Sequence, residues 1–186
     1  MRAVFVTSNE HKRREAAQIL GFELQSVAPD VPEIQSLDVA EVAAAKARAA
    51  YELLGSPSYP VLVEDSGLVV EAWNGLPGAL TKWFIQSVGS EGILRMIPQG
   101  ERTARAVCAV AVVGGVVGES VRVFEGVVPG ALAPDLRGES GFGWDPIFVP
   151  EGGERTYAEM GDAKHEDSHR ARAFRGVREW FQEVDK

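Results

Sequence analysis

Cysteine is nearly absent. Cys108 stands alone among 186 residues, which excludes a disulfide framework, and neither it nor the histidines at 11, 165 and 169 show a zinc spacing or a nucleophile arrangement. Long apolar runs are missing too. None approaches the ~18 residues of a membrane span, and the N-terminus enters a strand pattern at once instead of a leader, so a cytoplasmic protein is expected. Basic excess is lacking: the net charge of −8 argues against a general nucleic-acid binder, whose affinity needs clustered Lys and Arg, but leaves room for a small anion held locally. Neither G-x-x-x-x-G-K-[ST] nor a G-x-G-x-x-G after a strand occurs, so the common nucleotide fingerprints are excluded. With no linker, repeat or low-complexity tract, residues 1–186 read as one domain, long enough to bury about 70% of its unfolded surface.

What is present is a mixed pattern. Residues 2–7 predict a strand, Asn9 a cap, and residues 10–20 a helix ended by Gly21. Asp38 and Glu41 have capping-box spacing before an Ala-rich helix that ends at Gly55 and carries Lys46. Residues 60–64 read as a buried strand ending at Glu64-Asp65, with extended structure resuming after Gly67. Helices are expected near 79–88 and 91–96, and two strands between Thr103 and Val128 flank a Gly114-Gly115 hairpin turn. A Gly- and Pro-rich loop (129–153) follows, then a last helix whose apolar face is Ala173, Val177, Trp180, Phe181 and Val184. The expected architecture is an α/β single domain with a central mixed, elongated sheet flanked by helices and a substrate cleft between two lobes.

Four stretches carry chemistry. His11, Lys12, Arg13 and Arg14 fill the first turn of a helix, where the dipole favours acidic residues; a phosphate held by turn amides and a Lys accounts for them, as does a solvated basic surface at a few tenths of a kcal/mol. Glu64-Asp65 at a strand end offers carboxylates for a hard cation such as Mg²⁺, with Glu33 in the PDVPEIQ loop as a further oxygen, or else simply faces water. SGFGWDPIF (140–148) places Phe142 and Trp144 beside Asp145, which suits either a stacked base or a packed turn. Lys164, His165, His169 and Arg170 bring cations to the start of the last helix, with Ser168 or Asp167 as its cap.

In this order, Thr7-Ser8-Asn9-Glu10-His11-Lys12 with Glu15, Val63-Glu64-Asp65-Ser66-Gly67-Leu68, Leu76-Pro77-Gly78 with Lys82-Trp83-Phe84, Gly141 to Pro146, and Ser168-His169-Arg170 resemble the inosine triphosphate pyrophosphatase family over the whole chain. The KWF and PEIQ stretches are closer to its archaeal and eukaryotic branch. Ser8 stands where the family usually has Gly, and His165-Glu166-Asp167 replaces a more usual Asn and apolar residue. The resemblance implies a homodimeric, Mg²⁺-dependent hydrolase that cleaves non-standard purine nucleoside triphosphates between the α and β phosphorus atoms, clearing deaminated purines from the nucleotide pool. It implies that Thr7, Ser8, Asn9, Glu10, His11 and Lys12 bind the triphosphate, that Glu33 and Asp65 hold the metal, and that Asp65 also serves as base toward water; Glu41 competes with Glu33 as second ligand. Lys46, Ser66 and Lys82 are then expected at phosphate or sugar. Phe142, Gly143, Trp144, Asp145, Lys164, His169 and Arg170 are expected around the base, with His169 or Arg170 as cationic donors to a 6-oxo group. A related pyrophosphatase of pyrimidine nucleotides and a non-catalytic nucleotide-binding protein are the competing readings.

Overall fold

The structure is a computed structural model and describes residues 3–22, 24–98 and 100–184. Its first unit is strand β1 (Val4–Val6), a turn at Thr7–Asn9 and helix α1 (Glu10–Leu20). The expected start of β1 at Arg2 lies outside the described residues. Asn9 Oδ1 accepts the Lys12 N–H at 3.1 Å, Thr7 Oγ1 accepts the Asn9 N–H at 3.1 Å, and Gly21 closes the helix in the left-handed region at φ 79°. Strand β2 (Gln25–Val27) and helix α2 (Val39–Leu53) follow. The Asp38 carboxylate caps α2 through the Ala40 and Glu41 amides. The reciprocal half of the expected capping box is not made: Glu41 accepts from Ser36 Oγ at 2.7 Å, and that same hydroxyl accepts the Asp38 N–H.

The remaining strands are β3 (Val61–Val70), β4 (Pro77–Gly78), β5 (Thr103–Val113), β6 (Arg122–Leu132) and β7 (Phe148–Pro150); the remaining helices are α3 (Thr81–Met96, broken at Gly89), α4 (Tyr157–Met160) and α5 (His169–Val184). The expected 129–153 loop is corrected at both ends, since β6 runs on to Leu132 and β7 closes the sheet. Strand order is β2-β1-β3-β5-β6-β7, with β1 parallel to both neighbours and β3, β5, β6 and β7 successively antiparallel.

The expected break in β3 at Glu64-Asp65 is also corrected. β3 runs unbroken through these residues because β5 pairs with it along its whole length, Val61 to Val113 through Val70 to Ala104. The opposite edge is shared: Val61–Val63 pair with β1, while Leu68 and Val69 pair with β4. Glu64–Gly67 therefore face an interval between two short strands. Gly67 lets β4 close in, because a Cβ there would collide with the Gly78 carbonyl.

Three apolar clusters surround this interval. α1 and α5 pack one sheet face through Phe5, Leu62, Val110, Phe174 and Val177. The alanines of α2 cover the other face through Ala43, Ala47, Val61, Val63 and Ala111. A third cluster lies toward the far end, where Leu68, Ala104 and Val128 meet Ile93, Trp144, Phe148 and Tyr157. The interval in β3 lies among these three clusters.

Gly126 fixes how α5 meets the site. Ser66, Cys108 and Gly126 form one row across β3, β5 and β6, and a Cβ at Gly126 would overlap the His169 carbonyl and the Ala173 amide. The start of α5 thus lies directly on the sheet beside Ser66. Gly126→Ala should force α5 away and destabilise the protein by about 1–3 kcal/mol, read as a lowered thermal midpoint; an unchanged midpoint would show that this close approach is dispensable.

Candidate active site

Successive strand residues point to opposite faces, so Glu64 and Asp65 cannot hold one ion together as an adjacent pair. Glu64 lies with Leu62 on the α1/α5 side, and Asp65 with Val63 on the α2 side. Each face carries its own charged cluster.

On the α1/α5 side a chain of alternating charge runs through the interior. Lys12 Nζ is 3.0 Å from Glu64 Oε1, and Arg170 donates to both Glu64 oxygens, from Nε at 2.9 Å and Nη2 at 3.1 Å. Arg170 Nη1 donates to Glu15, whose other oxygen lies 3.4 Å from Lys164 Nζ; Lys164 in turn donates to Asp145 Oδ2 at 2.7 Å. Lys12, Arg170 and Lys164 thus balance Glu64, Glu15 and Asp145. Burial resists ionisation of Glu64, but Arg170 and Lys12 outweigh it and hold the carboxyl far below the usual range. Glu15 is likewise held down, with Arg170 and Lys164 prevailing over burial. The role of Glu15 is not legible in the sequence, because its partners Arg170 and Lys164 lie at the other end of the chain.

Phe142 stands over this chain. Its ring stacks on His11 with centroids 5.2 Å apart, and Lys164 Nζ and Arg170 Cζ lie 5.4 and 5.6 Å from its centre. Asp145 Oδ2 accepts the Phe142 N–H at 2.9 Å, and Ser90 Oγ donates to the Gly143 carbonyl at 2.9 Å, tying the loop to α3. Trp144 belongs to the packed wall instead, between Phe148, Tyr157 and His169. His169 is corrected as a cationic donor: burial and neighbouring Arg170 hold its imidazole well below the usual value, and it packs flat on Tyr157. Ser168 is the cap of α5, accepting the Ala171 N–H, while Asp167 pairs with Arg172.

On the α2 side, Asp65 has a buried Oδ2 with no hydrogen-bond partner among the described residues. Burial pushes its carboxyl up to about 6; Lys12 and Lys46 pull it down, and Glu33 and Glu64 push it up again. Glu33 Oε2 accepts from Lys46 Nζ at 2.7 Å. Of the two candidate carboxylates, Glu33 in the loop is the one whose charge reaches Asp65, whereas Glu41 in the first turn of α2 is engaged with Ser36. No group of three metal-type side chains converges among the described residues. An unpartnered buried carboxylate oxygen with a second carboxylate nearby nevertheless suits Mg²⁺, which takes one or two protein carboxylates and fills the rest of its shell from phosphate and water.

The Thr7–Lys12 turn borders both faces. The first N–H groups of a helix have no intrahelical acceptor, and those of Ser8, Glu10 and His11 take none among the described residues. Part of the basic charge that looked misplaced in sequence is answered within the chain, since Lys12 meets Glu64 and Arg13 meets Glu10. Ser66 Oγ is 3.4 Å from Arg170 Nη2. Lys82 is not brought to either cluster; it lies exposed over Trp83, and Thr81 anchors α3 by accepting the Leu68 N–H and donating to the Gly78 carbonyl.

The class this fold and site define is a single-domain protein on a mixed α/β sheet, with cations, free helix-start amides and an unpartnered carboxylate gathered along the open edge of one strand. The Ham1 family model matches residues 3–180, and the chain belongs to that family. It is 43% identical to the dITP/XTP pyrophosphatase of Methanopyrus kandleri, over 97% of this chain and 96% of that protein. It is 42% identical to the inosine triphosphate pyrophosphatase of Schizosaccharomyces pombe, over 96% and 94%. The fold matches a HAM1 protein from Coxiella burnetii with a TM-score of 0.83 at 27% identity, covering 98% and 99% of the two chains. No helix among the described residues is long and apolar enough to cross a membrane.

Proposed function

We propose that this protein hydrolyses inosine, deoxyinosine and xanthosine triphosphates to the monophosphate and pyrophosphate. The observation that carries the reading is the pair of charged clusters on the two faces of β3: Asp65 with its unpartnered oxygen beside the Lys46–Glu33 pair on one, and Lys12, Arg170 and Lys164 beneath Phe142 on the other. Relatives of 42–43% identity named for the same reaction support it.

The Ser8, Glu10 and His11 amides and the Lys12 and Lys46 ammonium groups hold the triphosphate, neutralising charge that grows as a P–O bond breaks. Asp65 and Glu33 hold Mg²⁺, which supplies Lewis-acid polarisation of the phosphoryl oxygens when bound. Asp65 orients the attacking water and accepts its proton. No covalent nucleophile is needed, in keeping with a buried Cys108 whose thiol is pushed up by burial.

Phe142 stacks the base, a contact worth about 1–3 kcal/mol and blind to base identity. Discrimination comes from hydrogen bonds: Lys164 presents a donor to the 6-oxo group of hypoxanthine or xanthine and leaves the 6-amino group of adenine mispaired. Arg170 contributes less to that recognition than its charge suggests, because its N–H groups already serve Glu64, Glu15 and Ser66. A cytoplasmic homodimer completes the proposal; Trp83 and Val88, 55% and 45% exposed on α3, offer apolar surface that a second copy would cover.

The test is a panel of nucleoside triphosphates with Mg²⁺, with pyrophosphate and orthophosphate assayed separately. Inosine triphosphate should give monophosphate and pyrophosphate in one step and far exceed adenosine triphosphate. Diphosphate and orthophosphate as first products would overturn the assignment.

A further inference from the structure

The α2 side of the cleft holds an ion pair in an unexpected place. Lys46 Nζ lies 2.7 Å from Glu33 Oε2, with the two side chains 22% and 35% exposed, so the pair is reachable from water but not fully solvated. Lys46 projects from the middle of α2, and Glu33 comes from the irregular loop between β2 and α2. The pair closes on the face that carries Asp65, whose Oδ2 is buried and unpartnered. Lys46 therefore satisfies the carboxylate that would join Asp65 around a cation, while Asp65 Oδ2 keeps no direct partner among the described residues.

We propose that Lys46 is an internal counter-cation that occupies Glu33 in the free protein and is drawn off by the triphosphate, so that metal and polyphosphate each promote binding of the other. This rests on Glu33 as metal ligand and Lys46 as phosphate ligand in the function proposed above. The physical reason is a partner exchange. A cation arriving alone must compete with an ammonium already 2.7 Å from Glu33, and an anion arriving alone must take Lys46 from a carboxylate. When both arrive, Lys46 moves to phosphate and Glu33 to metal, and each of the four charged groups keeps an opposite neighbour. Such coupling is reciprocal by linkage. Its consequence is a free protein that holds little metal and assembles its site on the substrate.

The experiment is a pair of double-mutant cycles read by calorimetric binding, not turnover. In the first, Mg²⁺ alone is titrated into the parent, Lys46→Met, Glu33→Gln and the double variant. Lys46→Met should bind Mg²⁺ about fivefold tighter than the parent, the upper range for a partly exposed pair, and most of that gain should be lost in the Glu33→Gln background, the remainder coming from the charge of Lys46 on Asp65. Lys46→Arg, which keeps the charge, should bind like the parent. In the second, inorganic triphosphate is titrated in the presence of a chelator. Glu33→Gln should bind it tighter than the parent only while Lys46 is present. Equal tightening of Mg²⁺ binding by Lys46→Met with or without Glu33 would overturn the proposal, because Lys46 would then act on Asp65 through space. No tightening in either cycle would overturn it as well. Mg²⁺ affinity unchanged by Glu33→Gln alone would remove Glu33 as a ligand, and the exchange with it.

Discussion

Asp65→Asn should lose turnover by about 10²–10⁴-fold and yet be at least as stable as its parent at pH 8. The two halves have one origin. Asp65 is buried enough to push its carboxyl from 3.8 up to about 6, with Oδ2 unpartnered, so the ionised form is poorly accommodated by the protein alone. Because the folded-state value lies above the unfolded one, this group favours folding when protonated. That contribution is whole below about pH 4 and is lost as the pH rises through about 6. It amounts to about 3 kcal/mol, so an uncharged amide of the same shape should raise the thermal midpoint at pH 8 by up to about 6–12 °C. Turnover falls because an amide neither accepts a proton from water nor offers a full charge to a metal. Glu33→Gln measured alongside should also be impaired, and Glu41→Gln should stay near the parent, since Glu41 is held by Ser36. Near-parental turnover in Asp65→Asn would reject Asp65 as the centre of the reaction. A large loss of stability at pH 8 would show that its charge is satisfied within the fold.

Local chemistry was legible where it decides structure by itself. Asn9 and Gly21 bound α1 in the sequence and in the fold, the β5–β6 hairpin forms where Gly114-Gly115 mark it but through a longer connection over 114–121 that includes a 3-10 turn, and Ala173, Val177, Trp180 and Phe181 form the buried stripe of α5, with Val184 exposed at its end. The motif residues Lys12, Glu15, Glu64, Phe142, Asp145, Lys164 and Arg170 meet in one cluster on the α1/α5 face, whereas Lys82 and Trp83 lie exposed on α3. What sequence did not show was which residues answer one another. Asp65-Ser66-Gly67 looks like a turn, yet pairing to β5 carries the strand straight through it. That continuity sends Glu64 and Asp65 to opposite faces, so an apparent carboxylate pair became one ion-pair anchor and one candidate metal ligand. Arg170 meets Glu15 across 155 positions and Glu64 across 106, separations that no local pattern reports. His169 and Trp144 have the residue types of a base site, but the fold packs them against each other and against Tyr157.

Arg170→Ala should be the most destabilising single change in the cleft, about 3–5 kcal/mol, because it removes the cation shared by two buried carboxylates. In the parent, Glu64 and Glu15 have folded-state values depressed below the ordinary 4.5, so their ionised forms favour folding. That contribution is present above about pH 4.5 and is lost as the pH falls through the depressed values. Without Arg170, Glu64 keeps only Lys12 and Glu15 only Lys164 and the more distant His165, while burial remains and pushes both carboxyls upward. The variant's deficit should therefore be large at pH 8 and shrink toward pH 5, where the two groups take up protons instead of staying charged. Lys12→Ala tests the same logic at smaller scale. Glu64 retains its paired contact with Arg170, so the stability loss should be about 1–3 kcal/mol while turnover collapses with the phosphate contact. Relief of the helix-dipole clash, worth a few tenths of a kcal/mol at an exposed turn, is too small to reverse that sign. Selectivity separates structure from recognition in Arg170→Ala. If the guanidinium acts mainly by positioning Glu64, Glu15 and, through Glu15, Lys164, inosine and adenosine triphosphates should lose kcat/KM in similar proportion. A fall confined to inosine triphosphate, with the thermal midpoint unchanged at pH 8, would make Arg170 a direct reader of the base and overturn its assignment as the centre of the ion network.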